Sequence, residues 1–159
     1  MNKLNIGCGL VKKEGYINLD KSPEVKPDIV FNIEQGIPFP KDYFDEIYSS
    51  HVLEHIRPDY WDFVMKEIAR VAKSDCLLHL FLPYDNIKSR TDIAHYRTFT
   101  WWSFLPLEIG VQDGRYNYFS NLRLKRISVL PNKFMRFIYT LFPWIINEIE
   151  LKYLIKKNY

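Results

Sequence analysis

Apolar and polar positions along the chain switch repeatedly between strand-like and helix-like spacing, which predicts an α/β fold. Lys3–Ile6, Tyr16–Leu19, Asp28–Phe31 and Phe44–Ser49 read as short strands. They close on Gly7-Cys8-Gly9, Asp20, Asn32 and Ser50-His51. From Pro58 to Lys73 the positions Trp61, Val64, Met65, Ile68, Val71 and Ala72 recur at helical spacing, and Pro58 suits a first helical position. Asp75–Pro83 is apolar almost throughout, the pattern of a strand buried on both faces of a parallel sheet. A polar loop holding Asp92, His95 and Arg97 leads into an aromatic segment, Phe99–Leu105, read as a short helix. Asn121–Leu130 alternates apolar with basic residues and reads as a strand near the sheet edge. Lys133–Phe142 reads as a short helix stopped by Pro143. Ile149, Leu151, Tyr153 and Ile155 alternate, which predicts a last strand, with a continuous C-terminal helix as the rival reading.

Composition narrows the class. The chain has 159 residues, 47% of them hydrophobic and 26% charged, which suits one globular domain over 1–159 that buries its own core. Cys8 and Cys76 form neither a disulfide framework nor a zinc set, so a reducing, cytoplasmic setting is expected. The longest mostly apolar run, Phe137–Ile146, contains Pro143. It is too short for a spanning helix of about 20 residues, so no transmembrane segment is expected. Residues 115–159 hold nine Lys/Arg against two Asp/Glu, whereas residues 1–114 hold thirteen against seventeen. The basic third admits an anionic partner or a merely solvated face, and it contains no nucleic-acid-binding motif. Beside Lys133 and Arg136, the aromatic set Phe134, Phe137, Tyr139, Phe142 and Trp144 fits core packing or a homodimer contact better than a membrane surface.

The candidate chemistry lies in where the polar residues fall. The glycine pair, Asp20, Asn32 and Ser50-His51 all follow carboxyl ends of predicted strands, which in an open parallel sheet border one crevice. Glycine lets the backbone approach a ligand closely. An acid closing the second strand accepts hydrogen bonds from ribose hydroxyls, and an asparagine can serve an adenine edge. Together these describe a nucleoside-containing cofactor. A pyrophosphate dinucleotide calls for GxGxxG with its acid about 20 residues on. Here the third glycine is missing and Asp20 follows Gly7 by 13 positions. That leaves no room for a full helix, so the first crossover is expected to be a loop or a single turn.

The stretches LNIGCG, GYINLD, IPFPKDYFDEIYSSHVLEHI and HYRTFT resemble the small class I S-adenosylmethionine-dependent methyltransferases. The resemblance implies a Rossmann-like, doubly wound, mostly parallel seven-stranded sheet with an antiparallel last strand, and S-adenosyl-L-methionine as cofactor. It implies that Gly7, Cys8 and Gly9 line the methionine and ribose part and that Asp20 binds the ribose hydroxyls. Asn32 and Ile33 would flank the adenine, and Ser50 and His51 would stand beside the methyl. The chain departs from the family in its curtailed first helix and in having Asn32 where an acid is frequent. Methyl transfer is an in-line displacement, helped mainly by alignment. Where the acceptor must lose a proton, His51 is the first candidate base and His95 the second. His95 and Arg97, in a substrate-facing loop, are candidates for acceptor binding. The acceptor itself, whether small molecule, glycan or macromolecule, is not legible.

Rival readings remain. His51, Glu54 and His55 form HxxEH, the ligand spacing of inverted zincin peptidases. The motif follows a strand in methyltransferase order, so no metal site is expected. His55 reads as structural, bonding the next loop, and His79 as a satisfied core histidine. Trp101-Trp102 reads as packing. A non-catalytic cofactor-binding module, or a reductase or epimerase using another nucleoside cofactor, stays open beside the methyltransferase.

Overall fold

The computed structural model describes residues 1–109, 122–130 and 148–157. Seven strands make one sheet: β1 (Lys3–Ile6), β2 (Ile17–Asp20), β3 (Ile29–Val30), β4 (Phe44–Ser50), β5 (Ala72–Pro83), β6 (Leu122–Leu130) and β7 (Glu148–Lys157). Their order is β3-β2-β1-β4-β5-β7-β6. β7 runs antiparallel to both neighbours and the other pairs are parallel. This is the expected doubly wound sheet with an antiparallel last strand in sequence. The strand order reverses between β1 and β4, where such sheets open a crevice.

The described helices are α1 (Trp61–Val71), α2 (Ile87–Thr91) and α3 (Leu105–Ile109). α1 buries Val64, Met65, Ile68 and Val71 along one stripe, as its spacing predicts. Its start differs from expectation, because Pro58–Tyr60 forms a 3₁₀ turn before the α-helix begins. Its end passes straight into β5 at Ala72, with no intervening loop. α2 lies inside the stretch expected to be loop. Its signal is a capping box, in which Asn86 Oδ1 accepts from Ser89 N and Ser89 Oγ accepts from Asn86 N. The aromatic segment does not become a helix over Phe99–Leu105. Phe99 bridges to Tyr84 at the sheet margin. Thr100 N donates to Ser103 Oγ and Trp102 N to Thr100 Oγ1, bonds that compete with helix formation and delay it to Leu105. Trp101 is buried against Tyr84, as packing predicts, while Trp102 is exposed.

β5 departs from the reading of a strand buried on both faces. Cys76, Leu78, Leu80 and Leu82 are buried, but Leu77, His79 and Phe81 are only half-buried. The reason is the curtailed first crossover. Among the described residues, no helix joins β1 to β2. Instead the face is partly closed by Tyr48, His79 and Phe81, whose rings pack edge-on or tilted. Lys13 Nζ stands 4.1 Å from the centre of the Tyr48 ring. His79 is therefore not a core residue, although it is satisfied: its Nε2 lies 2.6 Å from Glu150 Oε1.

The far half of the short connector is held by Asn18. Asn18, buried on β2, accepts at Oδ1 from Asn5 Nδ2 and from Lys13 N. Its Nδ2 donates to the carbonyls of Lys13 and Tyr16 and to Asp28 Oδ2. These bonds replace what a crossover helix would satisfy internally. The helix expected over 133–142 and its aromatic residues lie outside the described residues. No described helix is long and apolar enough to cross a membrane.

Asn18→Ala leaves the buried Asn5 amide and the half-buried backbone of Lys13 and Tyr16 without these partners at once, so it is expected to cost about 2–4 kcal/mol in urea unfolding. Val30→Ala, half-exposed on the edge strand β3, should cost under about 1 kcal/mol.

Candidate functional site

A cavity of about 650 Å³ opens at the carboxyl ends of β1, β2 and β4, and its walls include Gly7, Gly9, Asp20, Asn32, Ile33 and His51. Gly7 and Gly9 both hold left-handed backbone, at φ +65° and +51°. The amides of Gly7 and Cys8 both donate to Leu19 O, which bends the chain sharply off β1. A Cβ built on Gly7 would stand 2.2 Å from Val52 Cγ2. A Cβ on Gly9 would meet nothing within 4 Å, because that glycine faces the open space of the cavity.

Asp20 secures the loop from the next strand. Its Oδ2 accepts from Gly9 N at 2.8 Å and its Oδ1 from Ser22 N at 2.9 Å. A carboxylate has about four acceptor sites, so both oxygens keep capacity for hydroxyl donors. Asn32 serves a turn and the cavity at once. Its Oδ1 accepts from Glu34 N and caps the 3₁₀ turn Ile33–Gln35, yet the residue lines the cavity.

His51 follows β4 in left-handed backbone, at φ +53°. Its Nδ1 stands 3.3 Å from Glu54 Oε1 and its Nε2 2.8 Å from Glu148 Oε2. Glu54 foremost, and Glu148 with it, push the imidazole up to about 9 against the opposing effect of burial. Near neutral pH the ring therefore presents protons, and it would have to lose one before serving as the base that sequence reasoning expects.

Not every expected site residue reaches the cavity. Cys8 is turned inward, with Sγ 3.5 Å from Gly9 O, and only its backbone shapes the loop. Ser50 is not among the lining residues. Nor are His95 and Arg97. Arg97 stacks its guanidinium 3.9 Å from the centre of the Trp61 ring, and burial lowers its pKa. His95 packs its ring against His55, with centroids 5.1 Å apart. HxxEH does not form one helix. Only Leu53–His55 is helical, as a single 3₁₀ turn, so His51 and His55 do not share a helix face. His55 bonds the following loop as expected, with Nδ1 2.9 Å from Ala94 O.

Sequence reasoning missed Lys21, Val52, Arg57 and Tyr96, all of which line the cavity. Arg57 was findable only in retrospect, since its partner Glu34 is 23 positions away; backbone N and Nε donate to Glu34 Oε1 and Oε2, each at 2.9 Å. Tyr96 lay inside the HYRTFT stretch, and its amide donates to Glu54 O.

The fold is that of class I S-adenosylmethionine-dependent methyltransferases. Residues 4–80, just under half of the chain, match the family model described as a methyltransferase domain. No curated protein sequence matches. Among solved structures, a SAM-dependent methyltransferase from Archaeoglobus fulgidus aligns over 96% of this chain and 85% of its own, with 15% identity and a TM-score of 0.64. The 1,6-didemethyltoxoflavin-N1-methyltransferase of Burkholderia thailandensis, solved with 1,6-didemethyltoxoflavin and S-adenosylhomocysteine, aligns over 98% and 71%, with 12% identity and a TM-score of 0.59. The [4+2]-cyclase SpnF aligns over 99% and 76%, with 11% identity and a TM-score of 0.61.

Gly7→Ala should cost about 2–3 kcal/mol in urea unfolding, from positive φ and the Val52 contact together. Val52→Ala in the same chain should recover the steric part and leave the backbone part.

Proposed function

We propose that the chain is an S-adenosyl-L-methionine-dependent methyltransferase acting on an acceptor that enters the cavity beside His51 and Tyr96. One arrangement carries the reading. A glycine that opens into the cavity is tied to an aspartate that retains acceptor capacity, at the point where the strand order reverses. This is a cradle for a nucleoside with free ribose hydroxyls. When bound, the cofactor supplies a methyl group on a positively charged sulfur that already leaves readily.

The protein's own residues bind, orient and exclude water. Gly7 and Gly9 let the ligand approach the backbone, and Asp20 accepts from vicinal hydroxyls through charge-assisted bonds. Ile33 offers an apolar flank for a base, and Asn32 an amide donor. His51, clamped between Glu54 and Glu148, orients the acceptor side of the cavity. His95 does not reach the acceptor directly; it acts through His55 and the loop carrying Tyr96, as a positioning residue. Arg97 works likewise, by fixing that loop on Trp61. The reading includes a single domain over 1–159, a cytoplasmic setting, and specificity set by residues 84–100, by the segment 106–120, most of which lies outside the described residues, and by a partner subunit.

Calorimetric titration with S-adenosylmethionine, S-adenosylhomocysteine and NAD tests this. Micromolar binding of the first two and none of the third is the expected result. Asp20→Asn should weaken binding by roughly 10–100-fold, the loss of about one charge-assisted bond. Failure to bind either sulfur compound would overturn the reading. Because a [4+2]-cyclase shares the fold, binding should be followed by an assay for S-adenosylhomocysteine release with candidate acceptors.

A further inference from the structure

We propose that Glu54, His55 and His95 form a binding site for a divalent first-row transition metal in the wall of the cavity. Three observations converge, and none depends on which cofactor the cavity takes. One ring nitrogen of each histidine and one carboxylate oxygen of Glu54 lie within 4.8 Å of one another. Around a metal with ligand bonds of about 2.0–2.2 Å, such atoms stand roughly 3.5 Å apart. Closing the site therefore takes a shift of about 1 Å, within reach of side-chain rotation.

The tautomers are also set for a metal. His55 Nδ1 lies 2.9 Å from Ala94 O, and His95 Nδ1 lies 3.0 Å from Ser89 O. A carbonyl oxygen only accepts, so each Nδ1 carries the proton and each Nε2 presents its lone pair. Metal-ligating histidines are held by their other nitrogen in this way. The nearest competitor is Asp92, with Oδ2 3.6 Å from His95 Nε2, beyond hydrogen-bond range. It is half-exposed and can swing in as a further oxygen ligand.

The third observation is Glu54. Its side chain is fully buried, and neither carboxylate oxygen accepts a hydrogen bond of proper geometry among the described residues. His51 Nδ1 stands 3.3 Å from its Oε1. A buried carboxylate is costly unless it is well paired or coordinates a metal. Two imidazoles and one carboxylate make a donor set for zinc, cobalt or iron rather than for calcium or magnesium, and leave coordination positions open. The site borders the cavity through His55 and Ala94.

The test uses the whole chain stripped with a chelator and titrated with Zn²⁺ against a chromogenic competitor, and with Co²⁺ by visible spectroscopy. One equivalent should bind at micromolar metal or tighter, with cobalt bands typical of nitrogen and oxygen ligands. His95→Ala and Glu54→Gln should each weaken uptake by more than the roughly 10–100-fold typical of losing an outer partner. Should Glu54→Gln not fold, His55→Ala and His95→Ala carry the test. His79→Ala, at a histidine outside this cluster, should leave uptake unchanged. Absence of saturable uptake, or uptake undiminished in His55→Ala and His95→Ala, would overturn the proposal.

Discussion

Two parallel strands cannot be joined by a tight turn, and the rest of this structure follows from how β1 and β2 meet that constraint. Parallel neighbours ordinarily take a crossover of a dozen or more residues containing a helix, which satisfies its own backbone. Here ten residues separate Ile6 from Ile17. Without a helix, their polar groups need partners elsewhere: Leu19 O and Asp20 take the first three amides, and Asn18 takes Lys13 and the Tyr16 carbonyl. One amide holds Lys13 from both sides, receives Asn5 and reaches Asp28. The register of β1 against β2 is thereby locked to the shape of the loop.

The same economy shapes the carboxyl end of the sheet and one of its faces. At the carboxyl end, a loop with no helix behind it leaves the cavity wide, and Gly7 and Gly9 set its floor through bonds to Leu19 and Asp20. On the face where a crossover helix would lie, the sheet closes itself with Tyr16, Tyr48, His79 and Phe81 and with lysine stems. Glu46, nearly buried there, is paired with Lys3 and accepts from the Tyr16 hydroxyl. Polar pairs and aromatic edges do the work that apolar helix packing does on the other face.

Legibility in the sequence followed the same division. Where one residue's period decided the outcome, as along α1 or in β7, the elements lie close to where spacing puts them. The glycines, Asp20, Asn32 and His51 were legible because strand ends in a parallel sheet converge by topology alone. The half-open face was not, because Leu77, His79 and Phe81 look apolar enough for full burial, and only the absent helix tells otherwise. The Thr100 and Ser103 turn was hidden by the aromatic residues around it. His95 and Arg97 lie in the loop that brings Ala94 and Tyr96 to the cavity, but loop membership says nothing of direction. Arg97 folds back onto Trp61, and His95 onto His55.

Those inward turns explain how a small chain keeps one wall of its cavity fixed. The segment after β4 and the loop after α2 are stitched by Tyr96 N to Glu54 O and by His55 Nδ1 to Ala94 O. Glu54 and His55 therefore each hold this loop through one of their atoms while another faces the cluster beside the cavity. A swing of this loop would have to break the bonds at Ala94 and Tyr96. On the proposed function, an acceptor would meet this wall as a preformed surface, with His51 and Tyr96 among its exposed groups.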